Sequence, residues 1–106
     1  MSKRITDLLA AETEWISLGN GVRCKKAHGI VFVDCYISGQ KTITTTYQTL
    51  ATLPEGFRPK GSIIYTTAGT NSANAGVAYA ATDGAIGAKT FSGTTQYMWF
   101  QFSFPA

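Results

Sequence analysis

Between Trp15 and Phe104, apolar residues recur at alternate positions in short runs, and the runs are separated by clusters of glycine, asparagine, aspartate, serine and proline. That period of two predicts β-strands. Strands are expected over residues 14–18, 22–26, 30–37, 42–50, 62–67 and 76–82, then in the run after Asp83-Gly84, and last over 96–104. In the third run Val31, Val33, Cys35 and Ile37 share one face and Ile30, Phe32, Asp34 and Tyr36 the other. A strand apolar on both faces is expected to be covered on both sides. In the last run Met98, Phe100, Phe102 and Phe104 form an unbroken apolar face, backed by Tyr97, Trp99, Gln101 and Ser103.

The turns follow from the same punctuation. Gly19-Asn20-Gly21, Ala27-His28-Gly29 and Ser38-Gly39-Gln40 are each expected to reverse the chain, and residues 68–74 and 92–95 read as loops. Asp83-Gly84 is the strongest hairpin signal, because aspartate tolerates and glycine adopts the positive backbone angles of a two-residue turn. That turn would pair Ala81 with Ile86 and Tyr79 with Ala88. The hairpin about Ala27-His28 would set Cys24 opposite Val31 or Phe32, with Cys35 several residues further along. About eight short strands in some ninety residues predict an all-β, antiparallel β-sandwich or jelly-roll-like domain over residues 14–106.

Residues 5–12 are the one helix candidate. Thr6 can cap it, Asp7 suits its first turn, and Ile5, Leu8, Leu9 and Glu12 share a face. Residues 1–13 are thus a short helix or linker, lying on the domain or forming the stub of a stalk that packs on its own copies.

Residues 53–61, LPEGFRPKG, interrupt the alternation. Pro54 and Pro59 each fix a backbone angle and remove a donor, which keeps the segment out of a sheet. Pro54-Glu55-Gly56 suits a type II turn with proline second and glycine third. Leu53 and Phe57 would then face the core, with Glu55 and Arg58 outward. The segment is expected to be a rigid corner between two sheets, its open end plugged by Phe57.

Composition narrows the picture. The chain has 106 residues, enough for one domain with a modest core. Only 14% of residues are charged, which suggests that something else covers part of the surface, a subunit contact being one candidate. The net charge of +3 is spread out, with one cluster at Arg23-Cys24-Lys25-Lys26, and does not point to nucleic acid. No apolar run is long enough to insert into a membrane, and the first residues lack the apolar middle of a secretory signal, so synthesis in the cytoplasm is expected. Cys24 and Cys35 are not a metal-binding or redox pair by spacing and are expected to be reduced strand residues.

The stretch LPEGFRP closely resembles the LPxGyRP corner of C-terminal domains in tailed-phage and prophage tail proteins. These include head domains of receptor-binding proteins from phages of Gram-positive bacteria. Other features follow in matching order: Trp15 with LGNGV after it, the IVFVDCYISG strand, the corner at Leu53, Pro54, Gly56, Phe57, Arg58 and Pro59, the TDGAI hairpin and an aromatic last strand. The likeness spans about residues 15–104. It implies a small β-sandwich, often a homotrimer, at the distal end of a tail fibre or baseplate in contact with other tail proteins. It also implies adhesion to host surface saccharide without catalysis or cofactor, and a place at the tail tip of the virion. The chain would be a fragment or a very small stand-alone protein. A purely structural trimerising cap or spacer is the alternative.

The residues agree with binding better than with catalysis. His28 is the sole histidine and sits in a turn, Asp34 lies within an apolar strand and Asp83 in a turn, and no phosphate-loop pattern occurs. One histidine and two distant cysteines make a poor metal set. A sugar offers a C–H face to an aromatic ring and hydroxyls to polar neighbours. Trp99, Tyr97 and Gln101 share one strand face and are the leading candidates, with Trp15 and Tyr36 able to join them. Asn71 and Asn74, in the small-polar loop, are a second set. The competing use for Tyr97 and Trp99 is packing between subunits.

Overall fold

The computed structural model describes residues 14–71 and 75–105. The candidate helix at 5–12 and Asn74 lie outside them. The described residues are all β: β1 (Ile16–Gly19), β2 (Val22–Ala27), β3 (Ile30–Ile43), β4 (Gln48–Thr52), β5 (Ile64–Thr70), β6 (Gly76–Ala80), β7 (Ala85–Thr90) and β8 (Thr95–Pro105). Every pairing is antiparallel, in the order β1-β2-β3-β8-β5-β6-β7-β4. The two ends of that order meet where Asn20 Nδ2 donates to the Leu50 carbonyl (2.8 Å). The sheet is therefore nearly closed, like a barrel, with one core inside.

The alternation read from the sequence sets which side is inside. Val31, Val33, Cys35 and Ile37 of β3 are buried opposite Phe104, Phe102, Phe100 and Met98 of β8. The strands β6 and β7 contribute Ala78, Ala80, Ile86 and Ala88 to the same core. Small residues there leave room for the phenyl rings of β8. Gly76 is the extreme case, since a Cβ on it would come within 2.9 Å of the Met98 methyl.

Several turns fall elsewhere than expected. Ser38-Gly39-Gln40 does not reverse the chain: β3 continues to Ile43 through a register shift against β8 between Ser38 and Ile43. The Gln40 side-chain carbonyl accepts the Ser38 N–H, and this bulge absorbs the turn-forming residues. The reversal lies at residues 44–47, where the Thr44 hydroxyl accepts the Thr46 N–H (3.3 Å). In the hairpin between β2 and β3, Ala27 pairs with Ile30, so His28 (φ 55°) and Gly29 are the two central residues. This sets Cys24 opposite Val33 and Cys35 opposite Val22, not Cys24 opposite Val31 or Phe32. The two thiols are diagonal neighbours on the inner face, a spacing wider than a disulfide spans, and both are free. Burial raises the pKa of each, and with Asp34 adjacent it pushes Cys35 up to about 12.

The Asp83-Gly84 hairpin forms with a longer loop. Gly84 N–H donates to the Ala81 carbonyl and Ala81 N–H to the Ala85 carbonyl (both 2.9 Å), which encloses three residues. Of these only Gly84 takes a positive φ (94°), while the Asp83 carboxylate accepts the Ala85 N–H (3.0 Å). The pairing therefore shifts by one, to Ala80 with Ile86 and Tyr79 with Gly87.

The proline corner keeps its turn but changes position. Phe57 N–H donates to the Pro54 carbonyl (3.1 Å), so Pro54 is first in the turn, and Gly56 is third with the positive φ (88°) that type II geometry demands. Leu53 is fully buried and Phe57 is half-buried against the core. Arg58 does not point outward. Its Nε donates to the Leu53 carbonyl (2.9 Å), and Leu53 N–H donates to the Gly84 carbonyl (2.7 Å), which ties the corner to the β6–β7 hairpin. The corner joins β4 to β5, which flank β6 and β7 in the same half of the sheet. Passage between the halves falls to the β3–β4 and β7–β8 links.

Candidate functional site

The outward residues of β2, β3 and β8 form three rows across the sheet. Lys25, Phe32 and Ser103 are in register in one row; Arg23, Asp34 and Gln101 in the next; Tyr36 and Trp99 in the third, with Gly69 of β5 beyond Trp99. Trp15, just before β1, closes the side nearest Arg23 and Lys25. The charged and amide row thus runs between two aromatic rows.

Each row has its own fixings. The Arg23 guanidinium stacks on the Trp15 ring, 4.1 Å from its centroid. Its Nε and Nη2 both donate to Asp34 Oδ2 (3.1 and 2.8 Å). Asp34 thereby uses one oxygen on the arginine. The Lys25 ammonium is 5.3 Å from the Trp15 centroid. Together with Phe32 and Gln101 these residues line an open groove of about 550 Å³. In the third row the Trp99 indole lies directly over Gly69: a Cβ there would be 2.3 Å from its Nε1. Trp99 remains 44% exposed and Tyr36 60% exposed. The outer face of β3 is therefore open in the single chain, contrary to the expectation that it would be covered on both sides.

Of the residues singled out from sequence, Trp15, Tyr36, Trp99 and Gln101 come together on this face. Tyr97 is one step along β8, opposite Ser38 and 42% exposed. Asn71 adjoins Tyr97 at the end of β5. Its Oδ1 lies 3.2 Å from the Thr95 hydroxyl, in a shallow polar recess that also includes Thr42 and Gln96. That recess is separate from the groove. Arg23, Lys25, Phe32, Asp34 and Gly69 were not singled out from sequence. The signal for the first four was present: each alternates with a buried neighbour, Cys24, Val31 or Val33, and so had to point outward. Gly69 carried no such signal, because its role depends on pairing with a strand thirty residues away.

No group of histidine, cysteine or carboxylate side chains among the described residues is arranged to hold a metal ion. No described helix is long and apolar enough to cross a membrane. Chemically, the face offers flat aromatic surfaces, paired charges and an amide, which suits reversible binding of a ligand with both C–H and hydroxyl surfaces. Comparison with protein-family models, curated proteins and solved structures found no match.

Proposed function

We propose that this chain is an adhesion domain of a phage or prophage tail protein, acting as a homotrimer that recognises host cell-surface carbohydrate without catalysis. The observation that carries the binding part is the row of Arg23, Asp34 and Gln101 set between exposed aromatic rings. Rings stack on the C–H face of a pyranose, and the row between them supplies donors and acceptors for its hydroxyls. The corner motif and the order of strand motifs support the tail assignment, and with it a place at the tail tip beside other tail proteins. On the same reading, β1-β2-β3-β8 and β5-β6-β7-β4 are the two layers of a jelly-roll-like sandwich, since both halves pack inward on one core. Whole-cell and glycan-array binding by protein of measured solution mass tests the proposal. Binding by a threefold assembly, lost in Trp99→Ala without loss of assembly, is the expected result. A verified trimer that binds no host and no glycan would refute receptor recognition.

A second reading has its own observation. On the other half of the sheet the exposed Tyr47 and Tyr65 flank the half-buried Tyr79 in an aromatic cluster, with Tyr47 and Tyr79 edge to face at 5.1 Å. Such a cluster suits burial between copies of the chain, as in a structural cap or spacer. Collapse of Trp99→Ala to a monomer would favour that structural role for the first face as well.

A further inference from the structure

We propose that the groove beside Trp15 selects an anionic sugar, with Lys25 as the residue that recognises the negative group. The inference rests on the saccharide reading above and specifies its ligand class. The groove holds two cations and one carboxylate. Arg23 and Asp34 neutralise each other in an ion pair of 2.8 Å, so that pair carries little net field. Lys25 is left over. Among the described residues its ammonium has no carboxylate partner and no hydrogen bond, only the Trp15 ring 5.3 Å away. An ammonium with only an indole beside it keeps N–H donors available to a ligand.

The geometry fits one sugar at a time in this corner. Phe32 is directly opposite Lys25 in the strand pairing and is 37% exposed, which gives the ring of a pyranose a flat neighbour next to the cation. The aromatic row of Tyr36 and Trp99 is four residues along β3, or about 13 Å away. It is too distant to share that ring and is left to further units of a longer glycan. The centre of the groove offers no comparable attraction, because the Arg23–Asp34 pair carries no net charge there. The negative group is thereby confined to the Lys25 end. A carboxylate and a phosphate present the same chemistry to an ammonium.

Glucose, glucuronate and glucose 6-phosphate, titrated at about 150 mM salt to screen long-range attraction, test the proposal through the indole N–H signal of Trp15 in a nitrogen-15 spectrum. At least one of the two anionic sugars is expected to saturate that shift at about a tenfold lower concentration than glucose. Their order tells carboxylate from phosphate. Lys25→Gln is expected to remove the difference. Lys89→Gln, which removes the same charge from the other half of the sheet, is expected to preserve it. Equal saturation by all three sugars, or an unchanged preference in Lys25→Gln, overturns the anionic assignment while leaving saccharide binding intact. No shift with any sugar overturns both.

Discussion

The two halves of the sheet use the same device on their outer faces. In each, an aromatic ring lies over a glycine directly across the strand pair: Trp99 over Gly69 in one, Tyr79 over Gly87 in the other. The surroundings differ. In the row beside Trp99 stand an ion pair and an amide, and Lys25 lies one row further on. Around Tyr79 stand two more tyrosines, with Lys89 over the Tyr47 ring at 4.8 Å. Stacking a ring on a glycine supplies a flat surface. The polar groups beside it decide whether that surface can read a hydroxylated ligand or can only be covered.

The inner faces differ as well, and there the largest effects are expected. The first half fills the core with Phe100, Phe102 and Phe104, and the second contributes Ala78, Ala80 and Ala88 beside Leu50, Leu53 and Ile86. Phe102→Ala is expected to lower unfolding free energy by about 3–5 kcal/mol, because strands paired into one sheet cannot close in on the cavity. The opposite change in the other half, Ala80→Leu, is expected to cost about 1–3 kcal/mol by overpacking. Denaturant titration measures both. If truncating the phenylalanine were harmless and enlarging the alanine were too, the two inner faces would not be complementary.

The buried thiols belong to the first half alone and add a pH dependence. The folded pKa of Cys35 is raised from 9.0 to about 12, so the native state holds the proton where the unfolded chain releases it. Stability from this group is complete below pH 9 and is lost as pH rises from there toward 12. The slope is at most about 1.4 kcal/mol per pH unit. Chemical denaturation at pH 8, 9 and 10 is expected to give a steeper decline for the natural chain than for Cys35→Ala. Equal slopes would mean that the thiol ionises as easily folded as unfolded.

What the sequence made legible follows the reach of each signal. The alternation of β8 depends only on neighbours along the chain, and QYMWFQFSF correctly divided into core and outer face. The fate of Ser38-Gly39-Gln40 depends on whether β8 is there to pair beyond it, and three turn-forming residues became a bulge inside one strand. The Asp83 hairpin failed by one residue because the aspartate side chain took the Ala85 N–H, a local hydrogen bond that composition cannot weigh against a tighter turn. Arg58 was placed outward because it is charged, but an unpaired backbone carbonyl at Leu53 drew it in. The candidate site was half legible for a similar reason. Its aromatic members stood out by residue type, whereas Arg23 and Asp34 became significant only when strand pairing placed them side by side.

The smallest expected change in stability makes the sharpest test of the two outer faces. Gly69 and Gly87 both have ordinary backbone angles, so alanine strains neither chain conformation. In Gly69→Ala the new Cβ would meet the Trp99 indole at 2.3–3.0 Å, and in Gly87→Ala it would meet the Tyr79 ring at 2.4–2.7 Å. Each ring must lift off its strand, Trp99 from an exposed position and Tyr79 from a half-buried one. The stability change at Gly69 is expected to stay within about 0.5 kcal/mol, since removing glycine also reduces the freedom of the unfolded chain. The consequences for binding should diverge. Gly69→Ala moves the Trp99 ring beside its cross-strand partner Tyr36, so its fluorescence should shift and glycan affinity should fall severalfold. Gly87→Ala should disturb the Tyr47–Tyr79 contact and leave glycan affinity unchanged. If Gly87→Ala weakened glycan binding and Gly69→Ala did not, the tyrosine face would be the recognition surface, and the assignment of the two halves would have to be exchanged.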